Sequence, residues 1–199
     1  MRLAETAETV TPEALVEAAV RMKARGNIGL AFTYNEPLIG WEFVRDTAAL
    51  AREADLVNVM VTNGTAQLHI LEKLLPYIDA MNIDLKGFTA RWYSGVLGGD
   101  LETVKAFIDR AAQACHVELT TLIVPGENDT AEEMRALTGW VAGLKDAEGR
   151  EIGPDIPLHI SRFFPRFRMT DRHATDVGCV YRLAETARER LRFVYTGNC

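Results

Sequence analysis

The stretch Asp79-Ala80-Met81-Asn82-Ile83-Asp84-Leu85-Lys86-Gly87-Phe88 decides how this chain is read, because an apolar strand within it ends in an acid and a base. If residues 80–85 are extended, side chains alternate, so Asp84 and Lys86 share one face while Ile83 and Leu85 point to the other. Burying such a couple costs on the order of several kcal/mol per ion unless each charge finds a partner or a ligand. The solvent-facing end of the strand is therefore its expected place, and in a parallel sheet that end is where ligands bind.

Outward from this strand, apolar runs alternate with helical patterns. Toward the N-terminus the spacing predicts a helix over residues 11–24 with Thr11 as N-cap and Pro12 in the first position. A strand over 28–33, a polar turn at Tyr34-Asn35-Glu36-Pro37, a helix over 38–53, a strand over 57–62 and a helix over 68–75 follow. Toward the C-terminus it predicts helices over 89–97 and 101–114, with Asp100 as N-cap, a strand over 117–124, and a helix from Thr130 to about residue 144 opened by a capping box. A polar loop over 145–157, a strand over 158–161, a basic aromatic loop over 162–172, a helix over 176–190 and a strand over 192–196 complete the chain. Six strands alternating with helices specify an α/β fold of parallel βαβ units. Polar residues gather after strand after strand, at Glu36, Asn63, Asp84 with Lys86, Asn128, Arg162 and Asn198, which favours a barrel or partial barrel over a doubly wound sheet with one switch point.

Composition sets outer limits. The chain has 199 residues, 48% hydrophobic and 25% charged, as expected of one globular domain spanning residues 1–199. No long apolar run is present and the first eight residues are acidic where a signal peptide would be basic, so a cytoplasmic protein away from membranes is expected. A formal net charge of -6 argues against a nucleic-acid partner. The three cysteines, Cys115, Cys179 and Cys199, lie far apart and form neither a disulfide framework nor a metal motif.

Read as chemistry, the strand ends offer carboxylate, amide, ammonium and guanidinium groups and no evident nucleophile, a set suited to a small zwitterion. Glu36 or Asp84 suits an ammonium, and Lys86 or Asn63 a carboxylate, at about 1.5 to 3 kcal/mol per charge-assisted bond. Each residue also has a plainer role: Asp84 and Lys86 as an ion pair, Asn63-Gly64 as a turn, Glu36-Pro37 as a helix start, His159 as a core histidine, and Phe163, Phe164 and Phe167 as packing.

In order along successive strands, Thr33-Tyr34-Asn35-Glu36-Pro37, Val61-Thr62-Asn63-Gly64, Asn82-Ile83-Asp84-Leu85-Lys86 and Val124-Pro125-Gly126-Glu127-Asn128-Asp129 resemble radical S-adenosylmethionine (SAM) enzymes of the pyruvate formate-lyase activating-enzyme type. Tyr34-Asn35-Glu36-Pro37 with His159-Ile160-Ser161-Arg162-Phe163 further resembles the AmmeMemoRadiSam subgroup. The resemblance implies a partial (β/α)6 barrel lacking its first strand and cluster loop. It also implies SAM bound across the strand ends by Tyr34, Asn35, Glu36, Asn63, Asp84, Lys86 and the position of Thr120, and a candidate cation site at Thr62, Asn82 and Asp84. Tyr34-Asn35-Glu36-Pro37 takes the place of the family's Gly-Gly-Glu-Pro, whose Glu engages the methionine ammonium. The parent would cleave SAM reductively with a [4Fe-4S] cluster, fed by an electron donor such as flavodoxin or ferredoxin, and its 5'-deoxyadenosyl radical would take hydrogen from an unknown substrate or a protein radical acceptor. The departures are the absent Cys-x3-Cys-x2-Cys motif, Val61 for a cation-site Asp, Phe164 for a His and Thr120 for an Arg. The expectation is thus of an N-terminally truncated, inactive piece that does not ligate the cluster. Two other classes stay open: a non-catalytic SAM-binding module, and a Schiff-base aldolase using Lys86, against which the neighbouring Asp84 counts.

Overall fold

The computed structural model describes residues 9–199, and the acidic start at residues 1–8 lies outside them. Six strands, β1 (Gly29–Phe32), β2 (Val57–Thr62), β3 (Ala80–Asp84), β4 (His116–Ile123), β5 (Leu158–Arg162) and β6 (Val194–Gly197), form one all-parallel sheet in chain order. The helices between and before them are α1 (Pro12–Met22), α2 (Trp41–Glu53), α3 (Leu68–Leu74), α4 (Ala90–Trp92), α5 (Leu101–Ala112), α6 (Ala131–Ala142) and α7 (Val177–Arg188). Strand order never reverses, so there is no switch point, and β1 and β6 do not pair with each other. The result is an α/β wall, an unclosed partial barrel. Connections of one hand that always step in the same direction put the helices on one side of such a wall.

Local chemistry starts most helices where the spacing predicts. Thr11, Asp100, Thr130 and Asp176 accept from the backbone N–H groups of Ala14, Thr103, Glu133 and Cys179 at 3.3, 2.8, 3.2 and 2.9 Å. Three expectations change. The helix after Glu36 opens as a 3-10 turn over Pro37–Gly40, and residues 93–97 form a wide π turn behind the single turn α4. At Thr130 only half of the capping box forms, because the Glu133 carboxylate is drawn away to accept from Phe88 N–H at 2.6 Å.

The core lies between helices and sheet. Met60, Met81, Ile83, Leu119, Ile160 and Leu158 point to the helices and are almost wholly buried. The opposite face carries no helix among the described residues, and register shows what it presents. Rows run Ala31, Val59, Ala80, His116; then Val61, Asn82, Glu118; then Asp84, Thr120, His159, Tyr195. The open face is thus apolar under β1 and β2 and polar under β3 to β6. Parallel sheets are normally covered on both faces, so this half-exposed polar row is a candidate ligand surface.

Candidate functional site

Because all six strands run the same way, their C-terminal ends make one rim. After β1, Tyr34 and Asn35 have φ of 57° and 55°, left-handed values that cost a non-glycine residue roughly 1–2 kcal/mol each. Tyr34 is 90% exposed. Among the described residues four non-glycine residues with positive φ, Tyr34, Asn35, Phe167 and Asn198, follow strand C-termini, and only Asp55 lies at the other end of the sheet. Strain concentrated on one rim makes it the candidate working edge.

The Glu36 carboxylate is fixed by three donors: Leu38 N–H at 3.1 Å and the Thr62 hydroxyl at 2.6 Å to Oε1, and Asn63 N–H at 2.8 Å to Oε2. It stitches the end of β1 to the end of β2 and keeps acceptor capacity for one further donor, since a carboxylate offers about four acceptor positions. Asn63 spends its Oδ1 on Thr65 N–H and hydroxyl, at 3.0 and 2.6 Å, and its amide donors stay free among the described residues. Gly64 turns the chain there with φ +66°, and a Cβ on it would stand 3.0 Å from Ile83 Cγ2.

At the end of β3, Lys86 Nζ donates to Asp84 Oδ2 at 2.6 Å, the two side chains being 38% and 31% exposed. Such a half-exposed pair contributes less than about 1 kcal/mol, so its interest is positional. The Lys86 backbone, by contrast, is clamped. Its N–H donates to the Tyr93 hydroxyl at 3.1 Å, and its carbonyl accepts from Trp92 Nε1 at 2.7 Å and Asn128 Nδ2 at 2.8 Å. Gly87, with φ +154°, leaves no room for a Cβ, which would meet Trp92 Cδ1 at 2.7 Å. Burial pushes the Tyr93 hydroxyl up to about 12 and raises the Glu133 carboxyl behind Phe88.

Sequence reasoning missed Glu118. It bridges two histidines on the open face, His159 Nε2 at 2.6 Å and His116 Nε2 at 3.3 Å, while Tyr195 stacks on His159 with centroids 5.4 Å apart. Burial alone would raise the Glu118 carboxyl, but the two imidazole hydrogen bonds outweigh it and hold it low. The signal was available, since Glu118 is an acid inside the alternating strand His116-Val117-Glu118-Leu119-Thr120. His159 is accordingly no core histidine. Beside this group the Thr120 hydroxyl donates to Asn82 Oδ1 at 2.7 Å.

Other expectations need correction. Thr62 does not join Asn82 and Asp84: it pairs in register with Ile83 and faces the helices, whereas Val61 pairs with Asn82. Asn128 is no rim ligand but a brace, 2% exposed, accepting from Val124 N–H at 2.7 Å and donating to the carbonyls of Lys86 and Leu122. Arg162 turns inward to donate to Thr175 O at 2.7 Å. Of the three phenylalanines only Phe163 is packing; Phe164 and Phe167 are 43% and 87% exposed.

The cysteines do not converge. The Cys115 thiol, 3.6 Å from Ala111 O before β4, is pushed up to about 11 by burial and by Asp79; Cys179 lies in α7 and Cys199 is exposed at residue 199. Among the described residues no group of His, Cys, Asp and Glu side chains is placed to hold a metal ion, so the residues present do not fit an iron–sulfur cluster.

This fold, with acceptors and donors along one rim of a parallel wall, belongs to a known class of proteins. The chain is a member of the radical SAM superfamily, whose sequence profile matches residues 2–138. It is 38% identical over 191 residues to an uncharacterized protein of Methanocaldococcus jannaschii, a match covering 95% of this chain and 54% of that one. It is 24% identical over 158 residues to the pyruvate formate-lyase-activating enzyme of Clostridium pasteurianum, covering 77% and 66% respectively. The solved domain of a pyruvate-formate lyase-activating enzyme from Bacteroides vulgatus superposes with a TM-score of 0.68 at 16% identity, over 85% of this chain and 99% of that one. The chain therefore spans about half to two thirds of the length of the curated relatives it matches.

Proposed function

We propose that this chain forms the SAM-holding wall of a radical enzyme of the pyruvate formate-lyase activating-enzyme type, and within it of the AmmeMemoRadiSam subgroup. The single observation that carries the reading is the anchored Glu36. It stands behind the left-handed Tyr34–Asn35 pair, in the place of the family's Gly-Gly-Glu-Pro, and retains acceptor capacity at the junction of two strand ends. Glu36 would take the methionine ammonium, the free Asn63 amide and Lys86 the carboxylate, with Asp84 keeping Lys86 oriented and Thr120 with Asn82 bordering the site on the open face. The left-handed backbone at Tyr34 and Asn35 is of the kind glycines favour, which supports aligning this pair with the family's two glycines.

For the longer protein the reading is reductive cleavage of SAM, a [4Fe-4S] cluster supplying the electron, with hydrogen abstraction from a substrate or protein radical acceptor and flavodoxin or ferredoxin as reductant. The residues described here do not fit that cluster, so their part is to bind and orient SAM. The reading treats residues 1–199 as one domain in a cytoplasmic protein; no helix among the described residues is long and apolar enough to cross a membrane. The alternative of a binding module without radical chemistry would be favoured by a full-length gene lacking the cysteine motif and sunk by an upstream reading frame that contains it. The aldolase alternative loses ground because Lys86 Nζ is engaged by Asp84 and not held free as an amine.

Calorimetric titration of the chain with SAM tests the reading. Glu36→Gln keeps an acceptor for Leu38 N–H and the Thr62 hydroxyl, sets an amide donor against Asn63 N–H and removes the charge, and should weaken SAM at least about tenfold, as expected for loss of one charge-assisted contact. Equal affinity for the variant and the parent chain, or no heat at millimolar SAM, would refute it.

A further inference from the structure

We propose that the hairpin tip at residues 166–169, after β5, is a docking surface for an acidic segment of a partner protein that carries an apolar side chain. The proposal stands apart from SAM binding. It rests on a loop whose composition is the reverse of its surroundings: residues 162–172 hold four arginines against one aspartate, net +3, in a chain of formal charge -6. Arg162 is turned inward onto Thr175 O, and Arg172 is paired with Glu127 and Asp171 at 2.8 and 3.2 Å. Arg166 and Arg168 remain, exposed and with no acidic partner among the described residues, on either side of Phe167. Phe167 is 87% exposed, and Phe164, a turn away, is 43% exposed with the Arg162 guanidinium 4.7 Å above its ring.

The tip is built, not loose. Met169 N–H donates to Arg166 O at 3.1 Å, closing an antiparallel bridge, and Phe167 sits at its end with φ 54°, a left-handed value that a bulky residue adopts only at a cost. The base is pinned on both sides. Thr175 N–H donates to Phe163 O at 3.1 Å and its hydroxyl to Ile123 O at 2.5 Å, while Arg172 reaches Pro125 O at 3.2 Å. A fixed tip loses little entropy on binding, and exposed arginine and phenylalanine are residue types that carry interface energy.

Charge complementarity selects the occupant. Two guanidiniums without an acidic partner among the described residues match two or so carboxylates of one segment, and Phe167, whose ring has the Arg168 guanidinium 5.2 Å from its centroid and is still largely exposed, fits an apolar side chain. A polyphosphate needs many more cationic contacts than these two arginines offer. Because the loop follows β5, it stands on the same rim as Glu36 and Lys86, so a segment held there lies along the working edge.

The test uses the full chain and three fluorescein-labelled probes: a short peptide of Asp and Glu with two central leucines, the same peptide with Lys for its acids, and an oligothymidylate of equal charge. Anisotropy titrations should show binding of the acidic peptide alone, weakening as salt rises. Affinity should fall about tenfold or more in the Arg166→Glu, Arg168→Glu double variant and severalfold in Phe167→Asn, which tolerates the left-handed backbone. These side chains project into solvent, so circular dichroism should stay unchanged. Absence of acidic-peptide binding, undiminished binding by either variant, or equally tight oligothymidylate binding would overturn the proposal.

Discussion

Replacing Asn128 by alanine removes three hydrogen bonds in one step. Its Oδ1 accepts from Val124 N–H at 2.7 Å, and its Nδ2 donates to Lys86 O at 2.8 Å and Leu122 O at 2.9 Å. The losses are unequal. Val124 is buried, so its N–H is left without a partner and bears its full desolvation cost of about 1–3 kcal/mol. Lys86 O keeps the Trp92 indole at 2.7 Å, and with Leu122 O it forfeits a further ~1–2 kcal/mol. The expected total is about 2–5 kcal/mol, or a fall in Tm of roughly 5–15 °C for a chain of this size. Urea unfolding followed by circular dichroism measures it. Asn128→Asp makes a sharper companion: it keeps an acceptor for Val124 but turns an acceptor toward two carbonyls, so it should be as damaging at neutral pH and partly recover in acid, where the protonated carboxyl donates again. A loss below about 1 kcal/mol for the alanine variant would refute the reasoning, because a buried amide that braces two strand ends cannot be that cheap to remove.

Two further outcomes follow from the ionisable groups. Glu118 is held below the usual carboxylate range by His159 and His116, so its contribution is present above the unfolded carboxylate pKa and is lost as pH falls through the folded one. Thermal melts of the chain and of Glu118→Gln should therefore differ at neutral pH and converge in strong acid; a gap independent of pH would contradict the assignment. Among the thiols, exposed Cys199 should react first with an aromatic disulfide at pH 8, while Cys115, pushed up to about 11, should react last and only as the chain opens. Simultaneous labelling of all three would count against the burial described.

How much of the site was legible follows from distance along the chain. Glu36, Asn63, Asp84 and Lys86 could be placed on one rim because each follows a recognisable strand, and the parallel sheet brings those ends together. The carboxylate contacts of Glu36 with Thr62 and Asn63 could not, since they join residues more than two dozen positions apart. Asn128 looked like another rim ligand because it too follows a strand; only the fold shows its side chain turned inward onto the end of β3. The same holds for Thr62, whose alternation alone leaves open which face is the helical one.

By itself the sequence determined what local physics controls: the strand and helix periods, three of the helix caps, the α/β class and the charge couple at the end of Asp79-Ala80-Met81-Asn82-Ile83-Asp84-Leu85-Lys86. Tertiary structure decided everything that depends on partners from other strands. It made Asp84 and Lys86 a rim pair above an open polar face, set Glu118 between two histidines, spent Glu133 on Phe88 in place of its own helix cap, and left Phe167 outside while burying Phe163. The physical reason is that alternation fixes only that neighbouring side chains point apart; the face that is buried, and the donor each polar group meets there, are set when distant strands pair.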